Sequence, residues 1–434
     1  MKKESRRAVL RFETKCVQSG YEPKNGEPRV LPIIQSTTYK YDSADAMGAL
    51  FDLKADGFFY TRLANPTVDA VEKKIASLEG GVCAIMTSSG QAASMFSVLN
   101  ICKAGDHVIS SSAIYGGTYN LFNKTLRDLG IDFTFVSPYI SAKELDKEFR
   151  SNTKCVFGET ISNPSLDVLD IELFAKIAHK NGVPLIIDNT FATPANCRPL
   201  EFGADIIVHS TTKYMDGHAC ALGGVVVDGG KFDWKASGKY PMLTEPDESY
   251  HGVTYTESFG NAAYGAKMRA HLMRDMGAMQ SPQNAFLLNL GLETLFLRME
   301  RHCSNALKVA RYLESLIPSG KITWINYPGL ESSRCYGLVK KYMPAGSCGV
   351  ISFGVAGGRE GAVRFMEGLK LAAIVTHVAD ARTCVLHPAS TTHRQMSDKE
   401  LEECGVKPDL IRFSVGIENA DDIIEDIAGA LEKI

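Results

Sequence analysis

Short apolar runs alternate with longer amphipathic segments through the middle of the chain. Residues 81–86, 107–113, 131–136, 154–159, 183–189, 206–208 and 223–227 are brief, rich in Val, Ile and Phe, and bounded by Gly, Pro, Ser or Asp, which predicts buried strands. Between them, the segment after Gly90, the segment after Tyr115-Gly116-Gly117, residues 142–149 and residues 171–179 read as helices. Strands alternating with helices over about 150 residues predict an α/β fold with a mostly parallel, helix-covered sheet. Residues 1 to about 60 lack this rhythm. Pro28, Pro32, several glycines and scattered aromatics suggest an extended arm, too short to fold alone and so expected to lie on a neighbouring subunit. Asn65-Pro66 punctuates the arm and suits the first turn of a helix running to Leu78.

Beyond residue 228 the pattern loosens. Residues 229–260 carry no period and have the character of a lid, and Ser281-Pro282 opens a long helical region over residues 283–316. Residues 350–353, 372–375 and 410–416 read as strands of a smaller C-terminal α/β domain with terminal helices. The division expected is an arm over residues 1–64, a large domain over 65–280 and a C-terminal domain over 281–434.

Composition narrows the partners. The chain has 434 residues, 45% hydrophobic and 22% charged, with a formal net charge of −3. That gives no basic stripe for nucleic acid or anionic membrane. Eleven cysteines are scattered without a CxxC or paired Cys/His spacing, which favours reduced thiols in a cytoplasm over disulfides or zinc. Met1-Lys2-Lys3-Glu4 is followed by charge rather than an apolar stretch, so no signal peptide is expected, and no run is long enough to span a bilayer.

The candidate chemistry sits where strands end. Ile206-Ile207-Val208 runs into His209-Ser210-Thr211-Thr212-Lys213, and Leu185-Ile186-Ile187 ends in Asp188. Ligands bind at that rim in open α/β sheets. A lysine and an aspartate there suit pyridoxal phosphate (PLP): the lysine holds it as a Schiff base, and the aspartate keeps the pyridine nitrogen protonated. Read alone, Lys213 is a solvated loop charge and Asp188 a helix cap. Ser88-Ser89-Gly90-Gln91 at a helix start forms an anion site or a plain cap. Tyr60 and Arg62 alternate on an extended segment and could clamp a phosphate. Tyr115 sits at the rim where an aromatic can stack on a flat ring. Arg412 lies inside a predicted strand and needs an anion, either a substrate carboxylate or a structural acid. His387 and His393 have poor spacing for a metal, so His387 is expected to be structural.

Taken together, Tyr60-Thr61-Arg62, Asn65-Pro66-Thr67, Ser88-Ser89-Gly90, Tyr115-Gly116-Gly117-Thr118, Asp188-Asn189-Thr190, His209 to Lys213 and His387-Pro388-Ala389-Ser390 resemble the Cys/Met-metabolism family of PLP enzymes. The resemblance covers nearly the whole chain and implies the fold-type I transferase architecture. Within the family the chain is most similar to the O-acetylhomoserine sulfhydrylase branch. The resemblance implies catalytic roles for Lys213, Tyr115 and Asp188, with Lys213 as Schiff-base lysine and proton carrier, Tyr115 stacked on the ring and Asp188 as pyridinium partner. Ser89, Gly90, Gln91, Ser210 and Thr212 would hold the phosphate, joined by Tyr60 and Arg62 from the neighbouring subunit. Asn163 would contact the cofactor ring's 3-oxygen or the substrate carboxylate, and Arg412 would bind that carboxylate. The active unit implied is a dimer with shared sites, commonly paired into a homotetramer.

The activity implied is γ-replacement on O-acetylhomoserine with sulfide or methanethiol, giving homocysteine or methionine and acetate. The same scaffold doing γ-elimination, as in cystathionine and methionine γ-lyases, or acting as a cystathionine γ-synthase, is the alternative; a non-catalytic sulfur-relay subunit is the rival from another class. The sequence leaves open an O-succinyl donor and a sulfur-carrier protein as partner. Gly117 stands where methionine γ-lyases carry a cysteine. His377 and Ala379 stand where sulfhydrylases commonly carry Asn and Gly, and Ala219-Cys220-Ala221 where they favour Gly-Thr-Ser.

Overall fold

The computed structural model describes residues 10–391, 394 and 407–434. Met1-Lys2-Lys3-Glu4 and His393 lie outside them. Seven strands form the larger sheet: β1 (Cys83–Thr87), β2 (His107–Ser111), β3 (Asp132–Val136), β4 (Thr153–Glu159), β5 (Leu185–Asp188), β6 (Ile206–His209) and β7 (Gly224–Asp228). Their order is β1-β7-β6-β5-β4-β2-β3. The pairs β2–β3, β2–β4, β4–β5 and β5–β6 are parallel, and β7 runs antiparallel to both β6 and β1. The sheet is therefore mostly parallel, as the alternation predicts. Its strands are buried almost throughout, which is why they read as continuous apolar runs rather than alternating ones.

The helix announced by Asn65-Pro66 spans Pro66–Glu79. Asn65 caps it by accepting from the Thr67 amide, Pro66 needs no amide partner in the first turn, and Gly80 ends it with φ +82°. The segment before it is not extended throughout. A helix at Phe12–Gln18 packs on Pro66–Glu79 and on two later helices, and Ala44–Phe51 is capped by Ser43. Cys16 is fully buried in that packing. One fully buried side chain on a seven-residue helix is too little period to be read from sequence.

The region from Gly229 to Gly260 contains short helical turns at Trp234–Ser237, Pro241–Thr244 and Tyr255–Ser258, with Trp234, Tyr240, Tyr250 and Tyr255 buried. It packs as part of the core, so its polar sequence hides an aromatic cluster rather than a loose lid. The long helical region is two helices, Pro282–Glu293 and Leu295–Ser315, meeting at Thr294.

The second sheet holds β8 (Ile322–Asn326), β9 (Val350–Val355), β10 (Ala373–Ile374), β11 (Cys384–Leu386) and β12 (Leu410–Ser414) in the order β10-β11-β12-β9-β8. All its pairs but β10–β11 are antiparallel. Arg298, on Leu295–Ser315, reaches back to the segment after β6. It donates to Tyr214 O (2.7 Å), Gly291 O (2.6 Å) and Met215 O (3.4 Å). A Cβ on Gly217 would lie 2.1 Å from its Nη1, and Gly217 has φ +70°, so glycine serves both the turn and the passage of the guanidinium. Among the described residues no helix is long and apolar enough to cross a membrane.

Candidate active site

A cavity of about 890 Å³ opens at the C-terminal ends of β4, β5 and β6. Its wall includes the start of helix Gly90–Leu99 and, from the second sheet and its approaches, Thr376, His377, Pro388 and Arg412. Ten of the residues singled out in the sequence line it: Ser89, Gly90, Gln91, Tyr115, Asn163, Asp188, Ser210, Thr212, Lys213 and Arg412. Parallel strand order brings them together. Glu159 on β4 is in register with Asp188 on β5, and Asp188 with Val208 on β6, so consecutive strands deliver their last side chains to one rim.

The anion end is built from a helix start. Ser89 is the N-cap, accepting from the Ala92 amide, which leaves the amides of Gly90 and Gln91 for an anion. A Cβ on Gly90 would lie 2.6 Å from Ser210 Cβ and 2.9 Å from its Cα, so glycine lets the helix start meet the loop after β6. The Thr212 hydroxyl donates to Gly223 O and accepts from its amide, so its proton is already committed. The Ser210 hydroxyl has no partner among the described residues, and the Gln91 carbonyl oxygen accepts from Thr118.

At the other end two carboxyls lie side by side. Thr190 donates to Asp188 Oδ1 through both amide and hydroxyl, and its oxygen accepts from the Ser210 amide, which ties the aspartate to the loop that carries the lysine. Burial pushes the Asp188 carboxyl up despite these bonds. Burial and the neighbouring Asp188 push Glu159 well above the carboxylate range, and its Oε1 accepts from the Tyr115 amide at 2.7 Å. Carboxyls held this way call for a cation, which a protonated ring nitrogen beside Asp188 would supply. Beneath them, Glu79 Oε1 is bonded to His209 Nε2 (2.6 Å) and accepts from Asn189 (3.0 Å), all fully buried.

Lys213 faces this site with its amine pushed down to about 8, chiefly by burial and secondarily by the Arg412 charge. A buried amine that is readily neutral is the form that attacks an aldehyde. Arg412 is 7% exposed inside β12 and has no carboxylate in ion-pair reach among the described residues. Its Nη1 donates to Asn163 Oδ1 at 3.3 Å and its Nη2 to the carbonyls of Thr376 and His377. The structural-acid reading of Arg412 thus gives way to an arginine held by neutral groups and open to an anion in the cavity. The residues present fit a PLP group from phosphate to ring nitrogen.

Tyr60 and Arg62 stand apart. Arg62 lies in a turn rather than on an extended strand, with its guanidinium 5.3 Å from the Tyr60 ring centre, and both line a second cavity of about 740 Å³. Neither reaches the first cavity of its own chain. His387 is structural: Nδ1 bonds Ser390 Oγ and Nε2 bonds Pro408 O. Glu159, Thr190 and Arg298 were not assigned roles from the sequence. Glu159 is signalled by an acid closing an apolar strand one strand away from Asp188; Arg298 carries no sequence signal, because a helix arginine normally faces water.

Fold and site together define a PLP-dependent enzyme of fold-type I. The chain belongs to the Cys/Met metabolism PLP-dependent enzyme family, whose model matches residues 13–432. It is 47% identical to a homocysteine synthase of Schizosaccharomyces pombe, over 97% of this chain and 98% of that one. It is 44% identical to an O-acetyl-L-homoserine sulfhydrylase of Leptospira meyeri, over 97% of each. Among solved structures it matches a putative O-acetylhomoserine (thiol)-lyase of Campylobacter jejuni bearing a pyridoxyl-lysine phosphate. That match has a TM-score of 0.93 and 37% identity, covering 98% of this chain and all of the other.

Proposed function

We propose that the chain catalyses γ-replacement on O-acetyl-L-homoserine with sulfide or methanethiol, releasing acetate and giving homocysteine or methionine. The observation that carries this is the single cavity that joins Lys213, Asp188 and the Gly90 helix start to an arginine free to take an amino-acid carboxylate. Bound there, PLP would supply an electron sink for charge developed on the substrate carbons. Asp188, fixed by Thr190, would face the ring nitrogen, and a proton on that nitrogen would favour the charged carboxylate that burial alone disfavours. The Gly90 and Gln91 amides and the Ser210 hydroxyl would hold the phosphate, with Ser89 as the helix cap. Arg412 and Asn163 would orient the substrate carboxylate, and Tyr115, on the cavity wall, would supply an aromatic face for the ring. Lys213 takes the Cα proton and moves protons at Cβ while acetate leaves Cγ and sulfur arrives there.

Tyr60 and Arg62, outside their own cavity and with Tyr60 41% exposed, would complete the phosphate site of a second copy, which makes a dimer the unit and a homotetramer its expected pair. The division into an arm (1–64), a PLP-binding domain (65–280) and a C-terminal domain (281–434), and a cytoplasmic setting, go with this reading.

The test is the visible spectrum of the purified holoenzyme, then turnover of O-acetylhomoserine with and without sulfide. A borohydride-sensitive band with homocysteine formed only when sulfide is added supports the reading. Ketoacid and ammonia without thiol would move the activity to γ-elimination, and no band after adding PLP would overturn the cofactor site. Lys213→Ala should lose the band and roughly a thousandfold or more of the rate.

A further inference from the structure

We propose that Ser352 and Asn326 are positioning residues of the carboxylate end of this site. With Arg412 they form one row of the second sheet that grips the loop carrying Asn163, and this grip sets how tightly the site takes an amino-acid carboxylate. The proposal rests on the γ-replacement reading. Arg412 on β12 is in register with Ser352 on β9, and Ser352 with Asn326 on β8. Residues paired across antiparallel strands put their side chains on one face. Each member of the row bonds a different residue of the loop after β4, in order. Arg412 Nη1 donates to Asn163 Oδ1 (3.3 Å), Ser352 Oγ to Pro164 O (2.6 Å) and Asn326 Nδ2 to Ser165 O. Asn163, Pro164 and Arg412 line the cavity, whereas Ser352 and Asn326 do not.

A sheet face packed against protein normally carries apolar side chains, so a polar row calls for a reason. Ser352 is fully buried, and a buried hydroxyl has to be bonded. Its partner is Pro164, whose only backbone polar group is the carbonyl that Ser352 takes up. The far side of the loop is held from the C-terminal part of the chain as well, since Arg334 Nη2 donates to Asp167 Oδ1 at 2.6 Å. Asn163 and Arg412 come from different sheets and lie 249 residues apart in the chain, and the bond between them is long. A carboxylate between them needs both donors within reach at once. By tying the next two loop residues to the strands beside Arg412, Ser352 and Asn326 align those donors before a ligand arrives. The ordering is then not charged against binding.

The experiment titrates holoenzyme with L-norvaline, an amino acid without a leaving group, and with 1-aminobutane, the same skeleton without the carboxylate. The visible spectrum reads both, and matching bands before titration check that variants fold and load. Wild-type protein should bind norvaline roughly 100-fold more tightly than the amine, and Arg412→Met should remove most of that difference. Ser352→Ala and Asn326→Ala should each weaken norvaline about five- to tenfold and leave 1-aminobutane within about twofold. Both should raise KM for O-acetylhomoserine more than they lower kcat. In the Arg412→Met background either substitution should cost norvaline less than about twofold. Equal weakening of the two ligands, no weakening, or an undiminished loss without Arg412 would overturn the proposal and reduce Ser352 and Asn326 to packing residues. If Ser352→Ala does not fold, Asn326→Ala, on a partly exposed side chain of the edge strand, decides by the same criteria. Wild-type protein that binds the two ligands equally would overturn the carboxylate reading of Arg412 beneath, and the proposal with it.

Discussion

Replacing Arg298 tests how Lys213, the proposed Schiff-base lysine, is held. The guanidinium is 5% exposed, has no carboxylate in ion-pair reach among the described residues, and divides its donors between the Tyr214 and Met215 carbonyls that follow Lys213 and, on the helix side, Gly291 O and Thr294 Oγ1. Burial pushes it down to about 10, so it remains charged. Arg298→Met keeps most of the stem and removes the donors. The two short bonds, to Tyr214 O and Gly291 O, strand carbonyls costing about 1–3 kcal/mol each, partly offset by no longer burying a charge. A net loss of about 3 kcal/mol follows. Spread over the unfolding entropy of a 434-residue chain, this lowers the melting midpoint by roughly 3 °C. Released carbonyls at Tyr214 and Met215 also let Lys213 drift, which should lower kcat about tenfold or more while changing KM less. Arg298→Lys, a single ammonium in place of a planar fork, should rescue little. Scanning calorimetry and steady-state kinetics read both effects. A Met variant within about 1 °C and twofold of wild type would refute the claim that this arginine positions the lysine loop.

Two further expectations follow from the same cavity. Gly90→Ala drives a Cβ into the backbone of Ser210 at 2.9 Å, and an overpacking cost of about 1–3 kcal/mol should weaken PLP binding roughly ten- to a hundredfold, measured by titrating apoenzyme; unchanged affinity would remove Gly90 from the phosphate end. Because the Lys213 amine is pushed down to about 8, uptake of PLP by apoenzyme should accelerate as pH rises through that value, and Arg412→Met should move the midpoint upward. The linkage runs the same way. Between about 8 and 10.5 the unfolded chain holds more protons on this lysine than the folded one, so apoenzyme stability rises with pH there and the penalty is fully felt below 8.

The sequence exposed the central sheet because parallel strands buried on both faces are plain apolar runs, and it exposed Lys213 and Asp188 because polar residues end those runs abruptly. Arg412 was visible for the converse reason, a charge within a strand. Strand β8 escaped because only Ile322 among its side chains is fully buried. The run at residues 372–375 reads as a strand, yet only Ala373 and Ile374 pair, at an exposed edge. Thr212 shows a finer limit: residue type marks it as a phosphate donor, but its proton goes to Gly223, eleven residues along the chain. The row that joins Arg412 to Ser352 and Asn326 is a property of strand pairing and has no sequence counterpart.

The helix at Phe12–Gln18 has a consequence during synthesis. It leaves the ribosome shortly before Pro66–Glu79, but its remaining partners, Pro282–Glu293 and Leu295–Ser315, come about 300 residues later. At ~5–20 residues per second, the apolar side around Cys16 waits on the order of 15–60 s for its cover. For that interval the nascent chain carries an unfinished seam, closed after Lys213 and Asp188 have been made but before Arg412 arrives to complete the cavity they face.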